Sequence, residues 1–110
     1  MALKPLRLKL VITPQAQRDI DQLWVYNCRA YDPDHADSYI EFLEKETAKL
    51  KTEYSKGKII PGNPDLHYRV MRKGRGHGHI AVYKIVGDTV RVFHYFHTAQ
   101  DWQGKMEQGE

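Results

Sequence analysis

A chain of 110 residues, 41% hydrophobic and 28% charged, has room for one core and can close it without disulfides, which excludes a multidomain architecture. Its net charge is +3 and its pI about 9.0, so an acidic partner is favoured, either an anionic protein patch or a phosphate backbone. The single cysteine, Cys28, excludes an internal disulfide and a cysteine-based zinc site, and its place on a helical apolar stripe reads as a small buried thiol.

The opening "MALKPLRLKLVI" alternates apolar and basic residues, with no continuous apolar run and no small-residue cleavage site. That excludes a standard signal peptide or membrane span, and the expected location is cytoplasmic. Leu6, Leu8, Leu10 and Ile12 recur at the period of a half-buried strand. Thr13-Pro14 then reads as an N-cap and first helical position, and Ala16, Ile20, Leu23, Trp24 and Cys28 carry a first helix to about residue 30. Asp32-Pro33 repeats the start signal. In the second helix Ala36, Tyr39, Ile40, Leu43, Thr47, Leu50 and Tyr54 mark one face, while Glu41, Glu44, Lys45, Glu46 and Lys49 mark the other.

Residues 55–66, "SKGKIIPGNPDL", are turn-rich and cannot continue that helix. Strand-like runs follow at 67–73, 79–86 and 89–97, with Gly87-Asp88 as a two-residue hairpin turn and "KGRGHG" as a looser one. The order β-α-α-β-β-β implies a two-layer α+β domain, an antiparallel sheet packed on a helical hairpin. Residues 1–102 are expected to form this single domain, with 103–110 as a flexible C-terminal tail. Trp24, Leu43, Val82 and Val92 are expected between hairpin and sheet.

Five of the six histidines lie between residues 67 and 97. His94 and His97 stand three apart on a strand and so point to opposite faces, which prevents joint chelation of one metal. His77 lies in a glycine-rich loop, and no Asp or Glu between Asp65 and Asp88 completes a ligand set, so neither a metal nor another cofactor is expected. Ser38 and Ser55 lack the strand-turn-helix setting of an activated nucleophile, and "RKGRGHG" lacks the spacing of a phosphate loop. Two readings stay open. In one, Arg69 handles phosphate while His94 or His97 transfers protons in a metal-independent ribonuclease. In the other, Arg69 belongs to a basic binding surface and the histidines are strand residues.

The ordered motifs resemble the RelE/ParE toxin family of bacterial type II toxin–antitoxin systems, from about Leu10 to Trp102. "ITPQAQRDIDQLWVY" is similar to the family's first helix, "HADSYIEFLEKETAKL" to its second, "HYRV" to the strand bearing a basic residue, and "HIAVYKIVGDTVRVFHYFH" to its last hairpin. The resemblance implies a growth-inhibiting toxin, of the kind linked to plasmid stabilization, neutralised by a cognate antitoxin. Ribosome-dependent messenger RNA endonucleases and DNA gyrase poisons share the family. Where the nucleases carry two arginines and an aromatic residue, this chain has Ile80, Gln100 and Met106, and only Arg69 keeps a basic character. The ending "FHYFHTAQDW" is closer to the ParE branch, so the resemblance implies gyrase as the target, with ribosome and messenger RNA as the alternative. An acidic antitoxin segment is expected on the sheet face left open by the helices, meeting Arg69, Arg72, Arg91, Phe93 and Tyr95, with a homodimer as the competing occupant. On this view Arg69 is a surface group whose truncation costs little stability.

Overall fold

The computed structural model describes residues 7–100 and 102–103. Strand β1 (Lys9–Ile12) leads into helix α1 (Pro14–Ala30), which begins where Thr13 Oγ1 accepts the Ala16 N–H at 3.3 Å and Pro14 fills a first-turn position with no amide to satisfy. Helix α2 (Pro33–Ala48) begins the same way, the Asp32 carboxylate accepting the His35 N–H at 2.7 Å. The apolar pattern that runs on to Tyr54 is carried by a separate short helix, α3 (Leu50–Glu53), and a 3-10 turn over Tyr54–Lys56. Three further strands were expected; four are present. They are β2 (Lys58–Ile60), β3 (Asn63–Met71), β4 (His79–Val86) and β5 (Thr89–His97).

The strands form one sheet in the order β1-β5-β4-β3-β2. β2 through β5 are antiparallel neighbours, whereas β1 runs parallel to β5 with Lys9 opposite Thr89 and Ile12 opposite Val92, so the sheet is mixed. β2 lies inside the segment read as turns, and β3 starts at Asn63, because Ile59 and Ile60 find partners on β3 that no local pattern announces. Gly57, at the entrance to β2, has no room for a side chain. A Cβ there would lie 1.9 Å from the Tyr83 hydroxyl, which donates to the Tyr54 carbonyl at 2.6 Å.

A bulge decides which residues face the helices. Tyr83 pairs with Val92, but Val82 pairs with His94, which leaves Phe93 as the extra residue of β5. Val90 and Val92 face the helices before the bulge and Tyr95 does so after it, packed with Ala16, Ile20, Leu43, Leu50, Met71, Ala81 and Tyr83. The opposite face carries a smaller core of Ile60, Leu66, Ile80, Val82 and Trp102. Two core expectations are corrected here. Val82 is buried on the far face, because Ala81 and Tyr83 take the helix-facing parity of β4. Trp24 is 39% exposed and bridges the hairpin by donating its indole N–H to Asp37 Oδ1 at 2.8 Å. Leu23 takes the inward position, and Asn27 is buried beside it while Cys28 is only half-buried. Leu43 and Val92 are buried between hairpin and sheet as expected. Leu6 and the tail beyond Gln103 lie outside the described residues.

Candidate functional site

Arg69 leaves β3 toward the helices. Its Nη1 donates to Glu53 Oε1 at 2.8 Å, its Nη2 lies 3.6 Å from Glu46 Oε1, and its side chain is only 17% exposed. The Arg69 guanidinium holds the Glu53 carboxyl below its usual range. Its charge is thus matched by two carboxylates, and it is not the free surface cation expected from the sequence. The signal was available in the spacing: Glu46 and Glu53 stand seven apart, two helical turns, on the flank of an apolar stripe.

The five residues expected to meet a partner do not share one surface. Arg91 is exposed on β5, its guanidinium carbon 5.9 Å from the centroid of the Phe93 ring. Arg72 is exposed just past the end of β3. Tyr95 is buried toward the helices, its hydroxyl 2.9 Å from Thr47 Oγ1, and burial pushes its pKa up to about 12. The bulge at Phe93 separates Tyr95 from Phe93, which simple alternation would have placed on one face.

His94 and His97 do point to opposite faces. His94 pairs across the ladder with Val82 of the far core, stacks on Phe96 with centroids 5.1 Å apart, and has Nδ1 3.5 Å from Asp19 Oδ2. His97 instead pairs with His79, their rings perpendicular at 5.2 Å, and His77 lies 5.4 Å from His97. An unbulged hairpin counted from Gly87-Asp88 would set His79 opposite Phe96, so the His79–His97 pair is a product of the bulge. His77 is fixed by Thr98, whose hydroxyl lies 3.3 Å from His77 Nδ1 and accepts the Gly78 N–H at 3.0 Å. His97 Nδ1 accepts the Ala99 N–H at 3.0 Å, and Gln100 Oε1 accepts the His97 N–H at 2.7 Å. Gln100 therefore caps the edge of β5 where the resemblance places a nuclease arginine. Ile80, the second such position, is 3% exposed in the far-face core, and Met106 lies outside the described residues.

His79 is buried, and its Nδ1 is hydrogen-bonded to the Tyr39 hydroxyl. Burial, followed by the proximity of His97, lowers its pKa from 6.5 to about 4. The unfolded chain therefore takes up this proton before the folded one, and the contribution to stability is lost as the pH falls from 6.5 to about 4. Above 6.5 the group contributes no slope. Urea denaturation across that window should show the wild type losing stability more steeply than His79→Gln, with a difference of no more than about 1.4 kcal/mol per pH unit, the limit for one proton. Equal slopes would mean that the ring titrates normally.

Together His79, His97 and Gln100 line a helix-side groove, one recess of about 320 Å³ reaching Asp19 and another of about 620 Å³ reaching Tyr39. A neutral, buried imidazole beside a half-buried one can position a proton, but the arginine of the nuclease reading is turned away to its carboxylates. Among the described residues no three His, Cys, Asp or Glu side chains converge to hold a metal ion.

The model of the ParE toxin of the parDE type II toxin–antitoxin system matches residues 10–102. A chain of the chromosomal ParDE system of P. aeruginosa superposes with a TM-score of 0.70 at 14% identity, covering 81% of this chain and 94% of that one. A double arginine-to-alanine mutant of the E. coli toxin RelE in its free state gives 0.62 at 15%, covering 91% and 93%. A chain of the RelBE2 toxin–antitoxin complex of Mycobacterium tuberculosis gives 0.56 at 21%, covering 88% and 98%. No curated protein is significantly similar in sequence. The structural likenesses establish the fold, two helices on a five-stranded mixed sheet, and the family match spans most of the chain. The chain belongs to the ParE toxin family and is the toxin of a type II toxin–antitoxin system.

Proposed function

We propose that this toxin inhibits growth by poisoning DNA gyrase in the cytoplasm and is neutralised by a co-encoded antitoxin. The observation that carries the choice of target is the state of the positions where nucleases of this fold concentrate charge. Ile80 is packed in an apolar core, Gln100 caps a strand edge, and Arg69 is matched by Glu46 and Glu53. Cleavage of a phosphodiester needs cations aimed at the developing charge, and these groups supply none that is free. The antitoxin is supported by the complexes named for the ParDE and RelBE2 neighbours and by the net charge of +3. Its acidic segment fits Arg72 and the Arg91–Phe93 pair on the far side of the sheet better than Arg69 or Tyr95. No described helix is long and apolar enough to cross a membrane.

One observation favours a second reading. His97 stands beside His79 with its Nε2 uncommitted among the described residues, as a proton-transfer group of a ribosome-dependent endoribonuclease would. Induced expression with mapping of messenger RNA 5′ ends and plasmid supercoiling separates the two. Intact messages with a supercoiling defect, unchanged in His97→Gln, are expected. Codon-phased cleavage that disappears in His97→Gln would replace gyrase with messenger RNA as the target.

A further inference from the structure

The end of the helical hairpin carries a surface that neither reading uses. Among the described residues eight large apolar side chains are exposed, and four of them, Trp24, Val25, Tyr26 and Tyr31, fall within eight positions at the end of α1 and the turn after it. Ile20, Leu23 and Asn27 turn the opposite side of that helix inward, so Val25 points outward with Trp24 and Tyr26 on its flanks. Single exposed apolar residues need no explanation, but a cluster rich in Trp and Tyr is the composition of an interaction site.

Two of these rings are fixed before any partner arrives. The Trp24 indole N–H donates to Asp37 Oδ1 at 2.8 Å, and the Tyr31 ring centroid lies 4.1 Å from that of His35. Side chains already held in place lose little freedom on binding, which is what an anchor requires. The charges around them are opposite in sign to those of the whole chain. Residues 21–37 hold Asp21, Asp32, Asp34 and Asp37 against Arg29, a net charge of −3 within a protein of +3. Lys73 reaches this end of the hairpin on its groove side, where it donates to Ser38 Oγ at 3.1 Å. An acidic antitoxin is repelled by such a rim, and a two-fold dimer through the same surface would set two groups of carboxylates against each other. The partner that fits is apolar at its centre and basic at its edge.

We propose that this acidic, aromatic end of the hairpin is the surface by which the toxin holds its target, docked against an apolar patch rimmed by lysines or arginines on gyrase. The proposal rests on the gyrase reading, and an enzyme that grips DNA presents cations where the phosphates lie. Phe93 and Arg91, offered to the antitoxin, lie on the far side of the sheet, so the two partners meet the toxin on opposite layers.

Binding of the full-length toxin to purified gyrase, measured by surface plasmon resonance beside a supercoiling assay, tests it. Tyr26→Ala combined with Tyr31→Ala should weaken binding at least about tenfold and weaken inhibition in step, with the melting temperature unchanged. Asp21→Lys removes no apolar contact, only an exposed charge that accepts from Gln17. It should weaken binding about tenfold at low salt and less at high salt. Val86→Ala truncates an exposed apolar side chain at the end of β4 and should bind as the wild type does. Wild-type affinity in the tyrosine double variant, or in Asp21→Lys, would overturn the proposal while leaving gyrase as the target. A wild-type toxin that neither binds gyrase nor alters supercoiling would overturn both.

Discussion

Gly57→Ala is expected to destabilise the protein by about 1–3 kcal/mol, a fall in melting temperature on the order of 10 °C. The new methyl group would lie 1.9 Å from the Tyr83 hydroxyl and 2.8 Å from its Cζ, and Tyr83 is fully buried, so the ring has no free direction in which to retreat. Any shift also strains the bond from that hydroxyl to the Tyr54 carbonyl. Tyr83→Phe alone should cost about 1 kcal/mol for that bond. In the double variant the closest contact is gone, so Gly57→Ala should cost markedly less when combined with Tyr83→Phe than in the wild type. Denaturant unfolding of the four proteins measures this coupling. Strict additivity would show that the clash is with the Tyr83 ring and the Tyr68 carbonyl and not with the hydroxyl.

Arg69→Ala should be the most damaging of the surface-strand arginine substitutions, well beyond Arg72→Ala or Arg91→Ala. Truncation leaves Glu46 and Glu53 facing one another without their shared cation, in a place where water reaches only part of each side chain. The carboxyl of Glu53 is held below its ordinary 4.5, so the wild-type contact contributes stability above that value and loses it as the pH falls through the depressed folded pKa. Arg69→Ala should lack this acid-side loss, and Glu53→Gln should partly rescue it at neutral pH. Added salt should narrow the gap to wild type by screening the two carboxylates. A melting temperature indistinguishable from wild type at low salt would return Arg69 to the role of a free binding residue.

The helices and the last hairpin were legible because their signals are local. Thr13-Pro14 and Asp32-Pro33 announce caps that require only the next turn of chain, and Gly87-Asp88 sets strand ends that agree with β4 and β5. What was not legible depends on distant partners. β2 exists because β3 lies beside it, and β1 is parallel because β5 returns in that direction. The candidate site suffered most, since one extra residue at Phe93 re-aims everything after it. Opposite facing of His94 and His97 survives, both lying beyond the bulge, but the partnership of His97 with His79 and the inward turn of Tyr95 do not follow from counting. The pairing of Arg69 with Glu46 and Glu53 was readable in principle, as a carboxylate stripe beside an apolar one.

The parallel seam between β1 and β5 has a consequence for the timing of synthesis. Lys9 has Thr89 as its ladder partner, and the cap at Thr13 reaches the Val92 and Phe93 carbonyls. The helical hairpin can form while translation proceeds, but β1 must wait, unpaired, until β5 has emerged. Contacts this remote in sequence close slowly and late. The edge of the sheet at β5 thus stays open until its last strand is made, and only then can the first strand be locked in place.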